Sequence, residues 1–299
     1  MSEQTRELAA VHSSVLAAWG VTGRFVEAFA GERVHVVEHG DGPPLVMLHG
    51  SGPTSLLFLP LISRLTRSHV VAIDRPGFGL SDLHPWAGPR RKAAVAWLGA
   101  VFDALELTTV DLLGSSAGGT WAIWYSLANP DRVRHLVLVG APPTLSPTTP
   151  SESLRMVASI DPANPPPMPA PSRETVLQSM AAMGEAETIV TYPDLLDAMV
   201  AAGRDAISGR ASLDELQALI TPDGWQPEVQ TDLGELGGLE PRTLIIWGRS
   251  DPLGDPVAAS LVADAIPDSR LELFDAGHGP FFGHPDAVAS LVEEFVTAV

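Results

Sequence analysis

The sequence contains no cysteine, a single lysine (Lys92), two tyrosines and no uninterrupted apolar run of 18 residues. Without cysteine there are no disulfides, no thiolate metal sites and no thiol nucleophile. Without a long apolar run no membrane-spanning helix is expected. Basic residues are scarce: 18 Lys and Arg stand against 36 Asp and Glu, for a formal charge of −18. A surface of that sign repels nucleic-acid phosphates and anionic lipid, so the expected partner is a small-molecule substrate, with no nucleic acid and no membrane. The N-terminus carries Glu3, Arg6 and Glu7 before any apolar stretch and lacks the pattern of a signal peptide, which leads us to expect a cytoplasmic protein. The nine histidines show no His-Glu-x-x-His spacing, and Gly118-Gly119 does not sit in a phosphate-binding loop. No metal and no cofactor is expected, and the oligomeric state is left open.

What is present is a chain of 299 residues, 45% hydrophobic, long enough for one large α/β unit. Short apolar runs at Leu45–Leu48, His69–Ile73, Val110–Leu113, Leu136–Val139, Thr243–Trp247 and Leu271–Phe274 alternate with helical patterns, the sign of a mostly parallel sheet. Arg24–Phe29 and Arg33–Glu38 predict an antiparallel hairpin at its edge. Helices are expected near Ser55–Thr66, Arg90–Leu105, Ala117–Ala128, Pro256–Ala265 and Asp286–Thr297. An amphipathic N-terminal helix, with Leu8, Val11, Val15 and Leu16 on one face, is expected to pack on the outside. The alternation stops between 142 and 238. Ten of the 30 residues from Pro142 to Pro171 are proline, predicting an extended connection. Helical patterns follow at Arg173–Met183 and Pro193–Ala202, and Ser212-Leu213-Asp214-Glu215 predicts a capped helix running to about Ile220. The division is thus a core of 1–141 and 239–299 with a helical lid at 142–238. Five of the seven methionines (Met156, Met168, Met180, Met183, Met199) fall in the lid, suiting either an adaptable pocket wall or the lid's own core.

Chemistry concentrates where strand 110–113 runs into Gly114-Ser115-Ser116-Ala117-Gly118. A serine at a sharp strand-to-helix turn needs small residues two positions either side, and only the register centred on Ser116 places glycine at both. The helix behind it directs its positive end at the site. His49-Gly50-Ser51-Gly52-Pro53, after the strand ending at Leu48, can supply a second backbone donor. The N–H groups of Ser51 and Ala117 form the expected oxyanion hole, each donor contributing about 2.7–4 kcal/mol to barrier lowering. His49 itself is expected to brace the loop rather than transfer protons.

With these residues the chain resembles the α/β-hydrolase superfamily over nearly its whole length. Asp74-Arg75-Pro76-Gly77-Phe78-Gly79-Leu80-Ser81-Asp82 looks like the family's turn after strand four. Trp247-Gly248-Arg249-Ser250-Asp251-Pro252 looks like the strand end bearing the acid, and Ala276-Gly277-His278-Gly279-Pro280 like the histidine loop. The resemblance implies an α/β fold with an eight-stranded, mostly parallel sheet flanked by helices, and the order Ser116, Asp251, His278 is the one such folds use. In these roles His278 activates Ser116 and Asp251 holds the imidazole in the working tautomer. Asp255 is a rival acid farther from the strand end, while His284 and His69 are rivals to His278.

A serine at the turn argues against the dehalogenases and epoxide hydrolases of the superfamily, which use aspartate there. The reading placed first is carboxylic ester hydrolysis through an acyl-enzyme. Hydrolysis of a carbon–carbon bond is the alternative, since His-Gly-Ser-Gly-Pro and Pro-Gly-Phe-Gly-x-Ser-Asp resemble the meta-cleavage-product hydrolases. Gly279 replaces that group's tryptophan and Ala117 a bulkier residue. Perhydrolase or lyase chemistry would use the same triad, and a ligand receptor that has lost turnover is the reading of a different class.

Overall fold

The computed structural model describes residues 2–29, 31–52, 54–146, 148–161 and 170–298, without the Ser153 side chain. Ala30, Pro53 and, within the extended connection expected from Pro142 to Pro171, Pro147 and residues 162–169, Met168 included, lie outside these residues. The strands are β1 (Thr22–Phe29), β2 (Glu32–His39), β3 (Pro44–Leu48), β4 (His69–Ile73), β5 (Val110–Ser115), β6 (Val133–Val139), a small hairpin of β7 (Ile220–Thr221) and β8 (Gly224–Trp225), then β9 (Arg242–Gly248) and β10 (Ser269–Phe274). Eight of them form one sheet in the order β1-β2-β4-β3-β5-β6-β9-β10. The expected hairpin is antiparallel and sits at the edge, β2 is also antiparallel to β4, and the remaining pairs are parallel. Alternation along β3 sends Leu45 and Met47 into one apolar core and Val46 and Leu48 into the other, on opposite faces of the sheet.

The helices are α1 (Glu3–Trp19), α2 (Leu59–Ile62), α3 (Arg90–Ala104), α4 (Ala117–Ala128), α5 (Glu152–Ala158), α6 (Arg173–Ala182), α7 (Ala186–Ile189), α8 (Pro193–Arg204), α9 (Ala206–Leu219), α10 (Leu233–Leu236), α11 (Pro256–Ala265), α12 (Pro280–Gly283) and α13 (Pro285–Thr297). Between β6 and β9 the chain leaves the sheet to build α5 to α10 and the small hairpin.

Four local expectations change. The helix expected over Ser55–Thr66 is a 3₁₀ turn, Ser55–Phe58, followed by the short α2, because Pro60 offers no N–H to a continuous ladder. The proline-rich stretch holds α5, in its proline-free span between Pro150 and Pro162, with Ser151 accepting from Leu154 N at the N-cap. Helix α9 starts six residues before Ser212: Asp205 is its cap, accepting from Ser208 N at 2.9 Å, and the Ser212 hydroxyl donates to Ser208 O inside the helix. Helix α1 packs on the insertion, Leu8 against Ala201 and Ala202 of α8, whose small side chains leave a flat face for it. Thr5 donates to Asp205 at 3.0 Å, and Arg204 pairs with Glu7 at 3.1 Å.

Buried under α1 is His12, with both ring nitrogens unpartnered among the described residues and Asp74 and His35 as its charged or titratable neighbours. Burial lowers its pKa to about 4, with Asp74 opposing and His35 assisting. The unfolded chain therefore binds more protons between about pH 6.5 and 4, so this stabilisation is whole above that window and is lost on acidification, by roughly 2–3 kcal/mol. Denaturant unfolding at pH 7 and 4.5 should show His12→Leu losing less stability than the wild type by that amount. Equal losses would refute the linkage.

Candidate active site

The sheet order reverses at β3: the chain steps from β3 to β4 on one side and from β5 to β6 on the other. Loops leaving the C-terminal ends of β3 and β5 therefore diverge, opening the crevice where ligands of open α/β sheets bind. The register Leu48↔Gly114 sets the His49 loop beside the Ser115-Ser116 turn.

Ser116 is in a positive-φ conformation, φ 53° and ψ −125°, that an L-residue holds only under constraint. The constraint is visible at its flanks. A Cβ on Gly118 would lie 2.0 Å from Leu48 O, and one on Gly114 2.4 Å from Gly118 O. Only glycine at both positions lets β3, the turn and the first turn of α4 close to this distance. Gly50 is also close, since its Cβ would lie 2.9 Å from Ser116 Cβ. Ser51, which follows Gly50, lines the chamber together with Ser116, and Ala117, next after Ser116, opens α4.

The loop bearing Ser51 is held from behind by groups far apart in sequence. His49 is buried and neutral at ordinary pH. Burial first, then the Arg75 charge, lower its pKa to about 4. Its Nδ1–H donates to Gly50 O at 2.7 Å and its Nε2 accepts from Arg75 N at 3.0 Å, the bracing role expected for it. Arg75, wholly buried, donates through Nη2 to Gly50 O at 2.8 Å and pairs with Glu215 of α9. Burial alone would raise the Glu215 pKa, but the Arg75 guanidinium and the Ser51 hydroxyl hold it below the usual range. The guanidinium also lies over the rings of Phe78 and Trp121 at 5.1 Å. The sequence placed Arg75 in a motif but gave it no task, and read Glu215 as part of a helix cap.

Asp74, next along, accepts from Ser55 N at 2.8 Å and Leu80 N at 3.1 Å and meets His35 Nδ1 at 2.8 Å. Burial opposes its ionisation, yet the hydrogen bond from His35 keeps its pKa well below the ordinary carboxylate range. With His12 it forms a three-residue group whose potential ligand atoms lie within 4.8 Å of one another. Sequence spacing could not disclose this, because the three come from α1, β2 and the end of β4. With Asp74 already accepting these bonds, the group acts as a strut for the turn.

Asp251 and His278 meet just past the ends of β9 and β10. His278 Nδ1 is 2.8 Å from Asp251 Oδ2, which also accepts from Ala141 N at 2.8 Å, while Oδ1 accepts from Leu253 N at 2.9 Å. The carboxylate can only accept here, so Nδ1 carries a proton, and in the neutral ring this tautomer places the lone pair on Nε2. His278 Nε2 is buried without a partner among the described residues, and His278 lines the same chamber as Ser116. Gly140 packs directly under this ring, where a Cβ would lie 2.3 Å from His278 O. The rivals are occupied elsewhere: Asp255 caps α11 through Ala258 N at 2.9 Å, His284 precedes α13 and meets Asp275 O, and His69 pairs with Glu38.

The chamber holds about 570 Å³, within the range of small-molecule sites. Met180, Met183 and Met199 contribute to its wall, whereas Met156 is exposed on the surface. Trp225 of the small hairpin reaches it, while Trp124 is in the core with Nε1 donating to Thr231. Gly279 has no room for a side chain, because a Cβ would lie 2.7 Å from the Phe282 ring. A residue invisible to sequence reasoning also enters: Glu185, from the turn between α6 and α7, accepts from Gly279 N at 2.8 Å.

This fold and these motifs coincide with a known family, whose alpha/beta hydrolase fold matches residues 43–285. The chain is an α/β-hydrolase. A 2-hydroxy-6-oxononadienedioate/2-hydroxy-6-oxononatrienedioate hydrolase of Cupriavidus pinatubonensis is 30% identical over 291 residues, covering 92% of this hydrolase and 95% of the relative. The carboxylesterase CesB of Bacillus subtilis superposes with a TM-score of 0.79 at 21% identity, over 99% of both chains. A meta-cleavage product hydrolase of Pseudomonas fluorescens IP01 gives 0.73 at 24% identity, over 91% of this α/β-hydrolase and 97% of its own chain. Among the described residues no helix is long and apolar enough to cross a membrane.

Proposed function

We propose that the protein hydrolyses a carbon–carbon bond next to a ketone, in a compound of the meta-cleavage type, with Ser116 as nucleophile, His278 as base and then acid, and Asp251 as its orienting carboxylate. The geometric support is a single arrangement: His278 Nδ1 is engaged by Asp251, its Nε2 is buried without a partner among the described residues, and His278 and Ser116 line one chamber. The curated relatives named for dienedioate hydrolysis favour this bond over the ester placed first on sequence grounds. In the proposed step His278 Nε2 takes the Ser116 proton as Oγ adds to the carbonyl, and the Ser51 and Ala117 amides hold the oxyanion. The departing carbon receives the proton as the bond breaks, and water activated by His278 then frees the acid. The insertion acts as the lid over this chamber, and the cytoplasm is the proposed setting.

Ester hydrolysis is the second reading, favoured by Gly279 in place of the tryptophan of the meta-cleavage hydrolases and by the apolar wall. The test is turnover by wild type and Ser116→Ala of a 6-alkyl 2-hydroxy-6-oxo-dienoate, followed by loss of its dienolate absorbance, and of short p-nitrophenyl esters. Serine-dependent loss of the dienoate is expected. Turnover of esters alone would replace the first reading by the second, and turnover of neither would remove both.

A further inference from the structure

We infer that Glu185 is a charge filter in the chamber, so that the substrate carries no second carboxylate, unlike the dioate for which the curated relatives are named. The inference rests on the hydrolase reading above and narrows its substrate. Among the described residues lining the chamber Glu185 is the single carboxylate, and there is no arginine or lysine. The residues not described contain no arginine, lysine or histidine side chain. Arg75, behind Gly50, is engaged by Glu215 and Gly50 O, and His49 is neutral, so neither offers a free positive charge.

The position of Glu185 is built rather than incidental. It is 1% exposed, accepts from Gly279 N at 2.8 Å through Oε1, and has the Thr188 hydroxyl 2.6 Å from Oε2. The backbone beside it grips the histidine loop: His278 N donates to Met183 O at 2.9 Å, and a Cβ on Gly277 would lie 2.3 Å from that same oxygen. Burial, with Asp251 assisting, raises the Glu185 carboxyl above its usual range, and Thr188, the Gly279 amide and His278 oppose the rise. Each carboxylate entering this space leaves water without gaining a cation in a protein of formal charge −18; the one that every 2-hydroxy-6-oxo-dienoate carries is common to both members of a matched pair, and a second adds a further cost against the Glu185 carboxyl group. Two like charges about 6 Å apart at an effective dielectric of about 20 disfavour such a complex roughly a hundred-fold.

The test uses matched pairs differing by one charge: a 2-hydroxy-6-oxo-dienoate ending in a methyl ester against the corresponding dioate, and p-nitrophenyl pentanoate against p-nitrophenyl hemisuccinate. The wild type should prefer the member with fewer charges in kcat/KM by about a hundred-fold, and Glu185→Gln, which keeps an acceptor for Gly279 N, should remove most of that preference. Equal or preferred turnover of the more charged member overturns the charge rule. A ratio unmoved in Glu185→Gln overturns the assignment to Glu185, because a merely structural role would change both members alike. Should no pair be turned over, the hydrolase reading fails by itself, and calorimetric binding of the same molecules to Ser116→Ala decides the charge rule. Binding of the less charged members alone supports it, and binding of both or of neither overturns it.

Discussion

Asp251→Asn is expected to lower kcat by about 10⁴ while the protein remains folded. The carboxylate accepts three hydrogen bonds, from His278 Nδ1 and Ala141 N at Oδ2 and from Leu253 N at Oδ1. An asparagine cannot accept at both ends. With its amide nitrogen toward His278 it forces the imidazole to carry its proton on Nε2, the atom proposed to take the Ser116 proton, and it sets two donors against each other at Ala141 N. With its oxygen toward His278 it keeps the tautomer but turns its NH₂ against Leu253 N, and it no longer offers a negative charge to an imidazolium. The cost in stability is about 1–3 kcal/mol, for one unsatisfied buried donor. Steady-state kinetics on the best substrate, with thermal unfolding alongside, separates the two effects. Wild-type kcat in a folded Asp251→Asn variant would move the acid elsewhere in the molecule. Ser116→Ala sets the scale, since loss of the nucleophile in a comparable triad costs about 10⁶.

Glu215→Ala is the substitution expected to cost the most stability, about 3–5 kcal/mol, because it leaves the wholly buried Arg75 guanidinium unpaired. For a chain of this size that corresponds to a fall in Tm of about 10 °C. The loss has a pH signature of known sign. The folded-state pKa of Glu215 is held below its ordinary value, so the contribution of the pair is whole above the ordinary carboxylate range and is lost as pH falls through the lowered value. Activity should fall as well, since Arg75 ties Gly50 O and Glu215 ties the Ser51 hydroxyl, together setting the loop that presents the Ser51 amide. Denaturant unfolding measures the first effect. A loss below about 1 kcal/mol would mean that the pair is not holding the loop.

Much of this was legible because it is local. Ser116 rather than Ser115 follows from glycines at 114 and 118, and the contact distances at those glycines supply the reason. Asp251 and His278 each sit just past a strand of the sheet, so identifying the strand ends located them. Misreadings arose where a local signal competed with a tertiary one. Ser212-Leu213-Asp214-Glu215 has the letters of a helix start, yet Asp205 caps that helix and Glu215 points inward to a guanidinium 140 positions earlier. The Ser55–Thr66 pattern is apolar enough for one helix, but Pro60 divides it.

The amino-acid order by itself determined the strand and helix alternation, the serine at the sharp turn and the residue types able to activate it, because each depends on neighbours within a few positions. Only the tertiary structure decided that Arg75 and Glu215 brace the loop that carries Ser51, that α1 holds the insertion, and that Glu185 brings a carboxylate beside Gly279, 94 positions away. These contacts join segments whose separation along the chain carries no periodic or motif signal, and burial of charge is defined only once the surrounding walls exist. The sequence has no cysteine, a single lysine and half as many basic as acidic residues, and the chamber turns that scarcity of positive charge into a statement about its substrate.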